Sequence, residues 1–157
     1  MERTGPHISI CICTFRRQTL LRQLLEELST QETEGLFTYS VIVVDNDASQ
    51  SSKEVVDGFE MNSSLAICYS VEPIQNIALA RNKALSQAKG SFIAFIDDDE
   101  LPDRDWLLRL FQVCEKYHSA GALGPVLPHF EHQPPAWVIR GGFCDRPVHA
   151  SYFCRIG

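Results

Sequence analysis

Five short runs rich in Ile, Val, Phe and Cys, at residues 8–14, 39–45, 65–71, 91–96 and 122–127, recur about every 25 residues, with helix-period stretches between them. This alternation constrains the chain more than any other feature. The runs read as buried strands, and parallel pairing follows when the intervening helices act as crossovers. The expected fold class is α/β, a doubly wound sheet.

The first helix places Leu20, Leu21, Leu24, Leu25 and Leu28 on one apolar stripe. A second, near residues 52–61, buries Val55, Val56 and Phe59, with Ser51 or Ser52 as N-cap. A third, near 76–88, has Ile77, Ala80, Ala84, Leu85 and Ala88 on one side and ends at Gly90. The fourth follows Pro102, with Asp103 as cap and Trp106, Leu107, Leu110, Phe111, Cys114 and Tyr117 inward. From residue 128 the periodicity stops, and His129, His132, Pro134, Pro135, Gly141, Gly142 and Pro147 punctuate an irregular stretch. Two regions are therefore expected, an α/β domain over 1–128 and an irregular segment over 129–157.

At 157 residues, 45% apolar and 22% charged, the chain can bury a conventional core without disulfides. Its six cysteines read mostly as small buried hydrophobes. The start of the chain lacks a basic stretch ahead of a long apolar one and reads as the lead-in to a first strand, so a cytoplasmic protein is expected. The formal charge is −6, and most of it is concentrated: Asp97, Asp98, Asp99, Glu100, Asp103 and Asp105 face a single base, Arg104. A duplex-binding protein needs a basic face, which this sequence does not offer, so no nucleic-acid partner is expected.

Ligands of open α/β sheets bind outside the carboxyl ends of the strands. Past the first strand lie Thr14, Phe15, Arg16 and Arg17; past the second, Asp45, Asn46 and Asp47; past the fourth, Asp97, Asp98, Asp99 and Glu100. Asp97 and Asp99 sit two apart at a strand end, a spacing that points both carboxylates the same way. Such a pair suits Mg²⁺ or Mn²⁺, which fills its other positions with water and substrate phosphate. Three consecutive carboxylates repel one another unless a cation intervenes, and Arg16 and Arg17 open the first helix beside the same rim, where anions are favoured. Asp45 stands where a carboxylate can accept from a ribose hydroxyl or a base imide. A turn role for 45–47 and an ordinary exposed position for Arg81 are the plain alternatives.

The ordered segments Ile8-Ser9-Ile10-Cys11-Ile12-Cys13-Thr14-Phe15-Arg16-Arg17, Val43-Val44-Asp45-Asn46-Asp47-Ala48-Ser49, Ala78-Leu79-Ala80-Arg81-Asn82 and Phe95-Ile96-Asp97-Asp98-Asp99-Glu100 resemble the motifs of family 2 glycosyltransferases, over roughly residues 7–128. The flavour is similar to the bacterial exopolysaccharide, succinoglycan-type enzymes. The resemblance implies a GT-A fold, a Rossmann-like, mainly parallel sheet with helices on both faces. It implies metal-dependent, inverting transfer from a nucleotide-sugar, usually UDP-linked, to a saccharide or lipid-linked acceptor. By the same analogy Thr14, Phe15, Arg16, Asp45, Asp47, Arg81, Asp97 and Asp98 bind the nucleotide-sugar, and Asp99 with Asp97 holds Mn²⁺ or Mg²⁺. The usual Asp-Asp-Gly-Ser turn is replaced by Asp45-Asn46-Asp47-Ala48, which leaves the nucleotide base open.

The family's catalytic base and acceptor elements lie further on, so the chain reads as the donor half, and a binding-only fragment is the rival expectation. Neither Glu131 nor Asp145 is taken as the base. A zinc site from His129, His132, Cys144 and Cys154 has the right residue types and irregular spacing. The family's lipid-linked acceptors allow peripheral association with the inner membrane face, although no basic amphipathic helix speaks for it. Apolar residues Phe130, Trp137, Val138, Phe143, Tyr152 and Phe153 allow self-association.

Overall fold

A computed structural model describes residues 5–130 and 132–142 of the chain. Its elements run β1 (His7–Thr14), α1 (Gln18–Leu28), β2 (Thr38–Asp45), α2 (Lys53–Glu60), β3 (Ile67–Val71), α3 (Ile77–Gln87), β4 (Phe92–Phe95), α4 (Trp106–Tyr117) and α5 (Ala136–Gly141). The chain divides into two compact units, Met1–Leu108 and Arg109–Gly157, with the division inside α4 and ahead of the boundary expected at residue 128.

The first unit holds a four-stranded parallel sheet in the order β3-β2-β1-β4. β1 is central, with Ile10 opposite Val41 on one side and Ala94 on the other. With the right-handed crossovers that parallel strands take, this strand order sets α1 and α2 on one face, where they touch each other, and α3 on the opposite face against β1 and β2. The period of two then sorts β1: Cys11 and Cys13 join Ile42 and Val44 beneath Ala80 and Ala84 of α3. Ile8, Ile10 and Ile12 fill the other side, as buried as the four leucines of α1, Leu21, Leu24, Leu25 and Leu28. Each of those leucines contributes about 1.5–3 kcal/mol on burial. Ser9, the one polar residue in the first run, is buried and accounted for: its hydroxyl donates to the Lys89 carbonyl and accepts from the Lys89 N–H, tying the end of α3 to β1.

Several expectations are corrected. Residues 122–127 form no strand, and Leu123 and Leu127 are largely exposed. An apolar run becomes a strand only where a neighbour supplies hydrogen bonds and cover, and no strand among the described residues pairs with the outer edge of β4. Leu20, Ile77, Leu85 and Tyr117 are exposed, not inward; the residues of α3 that are fully buried are Ala80 and Ala84, while Lys83 and Gln87 reach β3 by hydrogen bonds. Phe59 is half-buried. Ser52 stands at the N-cap of α2, but its side chain makes no cap bond. The side chain that meets the start of α4 is not that of Asp103: Gln31 accepts from the Leu107 N–H and donates to the Asp103 carbonyl. Cys11 is buried, Cys13 and Cys114 are half-buried, and Cys68 is exposed on the edge strand. Gly90 has φ +122°, and a Cβ there would meet the His7 carbonyl oxygen at 2.5 Å, so the return into β4 requires glycine. Glu131, Phe143, Cys144, Asp145, Tyr152, Phe153 and Cys154 lie outside the described residues. Among the described residues no helix is long and apolar enough to cross a membrane.

Candidate active site

From β1 the chain steps outward to β2 and β3, then returns to the opposite side of β1 as β4. The carboxyl ends of β1 and β4 flank that reversal, which is where open α/β sheets place ligands. A cleft of about 560 Å³ lies there, lined by Cys13, Thr14, Phe15 and Arg17 from the end of β1, Asn46 from β2, Gln75, Asn76, Ile77 and Arg81 around the start of α3, and Asp97, Asp98 and Asp99.

The turn after β2 is closed on itself. Asp45 is fully buried; Oδ1 accepts from the Asp47 N–H at 3.1 Å, and Oδ2 accepts from the Ser52 N–H at 2.8 Å and the Tyr69 hydroxyl at 3.0 Å. Burial, and then this hydrogen bond, raise the Tyr69 phenol above its ordinary value. The structure thus places Asp45 beneath the rim, with both carboxylate oxygens hydrogen-bonded within the turn and to β3. Asp47 accepts from Arg16 Nε at 2.8 Å and from the Ser49 N–H at 3.1 Å; these bonds, Arg16 foremost, hold its carboxyl well below the usual range. Arg16 adopts a left-handed backbone, φ 56°, and stacks on the Phe15 ring at 5.0 Å. Arg16, Asp45 and Asp47 are not among the cleft-lining residues.

Asn46, which lines the cleft, spends its amide on the neighbouring loop. Its Nδ2 donates to the carbonyls of Glu72 and Ile74 at 2.9 and 2.6 Å, and its Oδ1 accepts from the Asn76 N–H at 2.9 Å. Asn76 in turn caps α3 by accepting from the N–H groups of Ala78 and Leu79. This chain of bonds fixes the helix that carries Arg81.

The acids after β4 are arranged differently. The strand ends at Phe95, and Asp98 and Asp99 occupy a turn in which the Glu100 N–H donates to the Asp97 carbonyl at 3.1 Å. The alternation expected of a strand survives in exposure: Asp97 and Asp99 are exposed, and Asp98 is buried. Arg81 Nη2 donates to Asp97 Oδ1 at 3.1 Å, while Arg17 Nη1 donates to Asp98 Oδ1 at 2.9 Å and Asp99 Oδ2 at 3.0 Å. Thr14 is buried at the head of the cleft, and its hydroxyl is without a hydrogen-bond partner among the described residues. The Cys13 thiol is pushed up to about 11 by burial, so it stays protonated and is a poor nucleophile.

Thr14, Phe15, Arg81, Asp97, Asp98 and Asp99 are thus brought together as the sequence led one to expect. Asn46 was read as part of the rim past the second strand, whereas Gln75, Asn76 and Ile77 were not picked out as site residues. An asparagine just before a helical stretch was the available signal for Asn76; Gln75 and Ile77 offered none. Asp97 and Asp99 present exposed hard oxygen donors, a set that fits Mg²⁺ or Mn²⁺ bound through one or two carboxylates. Among the described residues no three His, Cys, Asp or Glu side chains converge as a metal site.

The family model described as glycosyl transferase family 2 matches residues 9–148. The chain belongs to glycosyl transferase family 2. Succinoglycan biosynthesis protein ExoM of Rhizobium meliloti (strain 1021) is 38% identical over 158 residues, covering 100% of this chain and 51% of that protein. The GalNAc(5)-diNAcBac-PP-undecaprenol beta-1,3-glucosyltransferase of Campylobacter jejuni is 31% identical over 100 residues, covering 60% of this chain and 30% of that protein. The chain therefore spans about half the length of the first relative and less of the second. Among solved structures, S. aureus TarS 1-349 in complex with UDP superposes with a TM-score of 0.60 at 23% identity, over 78% of this chain and 38% of that one. Mannosyltransferase PcManGT from Pyrobaculum calidifontis, in complex with GDP-Man and Mn²⁺, gives 0.57 at 24% identity, over 67% and 33%. These two place the sheet of this family 2 member in the GT-A fold.

Proposed function

We propose that this chain binds the donor of a family 2 glycosyltransferase. In this reading it takes a UDP-sugar with Mn²⁺ or Mg²⁺ and serves inverting transfer to a saccharide or lipid-linked acceptor in extracellular or cell-surface glycan synthesis, working from the cytoplasmic face of the membrane. The observation that carries it is the cleft at the β1/β4 reversal, where an unpartnered buried hydroxyl, two arginines and two exposed carboxylates line one opening. The UDP complex of TarS and the undecaprenol-linked acceptor in the name of the C. jejuni relative support the donor and acceptor classes.

Each residue then has a task. The Thr14 hydroxyl offers a nucleotide both a donor and an acceptor in a site screened from water. Arg17 and Arg81 carry fixed positive charge beside the position of a diphosphate, where planar guanidinium groups grip phosphate oxygens. Asp97 and Asp99 would hold the divalent cation, which supplies charge that offsets the negative charge growing on the departing diphosphate. Asn46 and Asn76 keep the α3 side of the cleft at a fixed distance.

Thermal unfolding with a panel of nucleoside diphosphates, each with and without Mn²⁺, tests the reading. A ligand at about a hundred times its dissociation constant stabilises by about 2.7 kcal/mol, or roughly 5 °C at this size. UDP with Mn²⁺ is expected to raise the midpoint by that amount, and Asp99→Asn to abolish the rise. No shift with any nucleoside diphosphate overturns the reading.

A further inference from the structure

Arg17 spends one nitrogen on two carboxylates. Its Nη1 donates to Asp98 and to Asp99, and among the described residues Nε and Nη2 have no hydrogen-bond partner. The two partners are unequal: the Asp98 side chain is 5% exposed and that of Asp99 52%. A charge pair gains more and is screened less where water is excluded, so the Asp98 contact is the anchor and the Asp99 contact the weaker leg. One cationic nitrogen bridging two neighbouring carboxylates also does the electrostatic work a divalent cation does between acids that otherwise repel. The same cleft holds the buried, unpartnered Thr14 hydroxyl, which independently marks it as a place where a polar ligand is accepted.

We propose that Arg17 and a divalent cation compete for Asp99, and that Arg17, still anchored on Asp98, turns its free edge to the donor's diphosphate when the cation takes Asp99. The inference rests on the reading of the cleft as a donor site and adds to it a coupling between cation and diphosphate. The guanidinium need not travel, because Asp98 keeps hold of it. What changes is which anion shares it: Asp99 passes to the cation, and the phosphate oxygens brought with the nucleotide replace Asp99 at the arginine. Cation and diphosphate then favour each other's binding through this side chain.

Mn²⁺ binding to the full chain, followed by the electron paramagnetic resonance signal of free Mn²⁺, separates the possibilities. Without nucleotide, Arg17→Gln is expected to bind Mn²⁺ about three- to fivefold more tightly than the wild type, the size of a half-exposed ion pair removed from competition. Arg22→Gln, which removes an exposed positive charge further along the same helix, is expected to stay within about twofold of the wild type. At saturating Mn²⁺, Arg17→Gln is expected to lose at least about tenfold in UDP affinity, the cost of a charged hydrogen bond to phosphate. Arg17→Met serves as a second variant with the same expected signs, and a circular dichroism melt verifies that each variant is folded. Unchanged or weaker Mn²⁺ binding in the Arg17 variants, an equal gain in Arg22→Gln, or retained UDP affinity overturns the inference while leaving the donor-site reading standing. A wild type that binds neither Mn²⁺ nor UDP overturns both.

Discussion

Two acidic turns flank the same cleft and are built on opposite terms. After β2, Asp45 and Asp47 are buried; Asp45 accepts from two backbone N–H groups and the Tyr69 hydroxyl, and Asp47 from the Ser49 N–H and from Arg16 Nε. After β4, Asp97 and Asp99 are exposed and are held by the flexible side chains of Arg81 and Arg17. The first set of charges is tied into the backbone of its turn, and the second is open to solvent. Residue type does not separate the two, and neither does an arginine partner, since Arg16 meets Asp47; burial and the added backbone donors do.

That contrast is broken most severely at Asp45. Asp45→Ala strands two backbone donors and the Tyr69 hydroxyl in the interior, and a loss of about 3 kcal/mol or more is expected in urea unfolding. Asn46→Asp comes next, with an expected loss of about 2 kcal/mol: it sets a carboxylate against the Glu72 and Ile74 carbonyls in place of two donors, and the loop that leads into α3 should loosen. Asp47 sharpens the comparison through pH. Its folded-state pKa lies below the ordinary 3.8, so the stability it contributes is present above that value and is lost as pH falls through 3.8 toward the depressed value. Asp47→Asn should therefore be less stable than the wild type at pH 7, with the gap closing on acidification, as read from melting curves between pH 7 and pH 3. At the far end, Asp97→Asn and Asp99→Asn should each change stability by less than about 1 kcal/mol, because exposed ion pairs contribute little. Of these changes, Asp99→Asn should nonetheless be the most damaging to Mn²⁺ binding measured by titration. A large stability loss there would erase the distinction between the two turns.

The parts legible in the sequence are those set by periodicity. The apolar runs at β1 and β2, the leucine stripe of α1 and the alanine face of α3 follow from a period of two or 3.6 together with burial. The run at 122–127 has the same composition, but whether it becomes a strand depends on a neighbour, which composition does not encode. The site was legible as a rim and not as an assignment. Asp45, Asn46 and Asp47 are three polar residues after one strand, and which of them enters the cleft is decided by where the start of α2 brings the Ser52 N–H to meet a carboxylate. Likewise the pairing of Arg17 with Asp98 and Asp99 joins residues some eighty positions apart, and no local spacing announces it.

The position of β1 between β2 and β4 also fixes an order of events during synthesis. β1, β2 and β3 emerge in sequence and can pair as they appear, but the other edge of β1 waits for Phe92–Phe95. Until that late strand arrives, half of the hydrogen-bonding groups of β1 are bare, and a nascent chain carries an open apolar edge of the kind that recruits chaperones or another strand. The opening between Thr14 and Asp97 consequently cannot be finished before β4 has docked. A lesion that slows β4 docking, such as any side chain at Gly90, would reduce the yield of folded protein before it altered a single contact in the cleft.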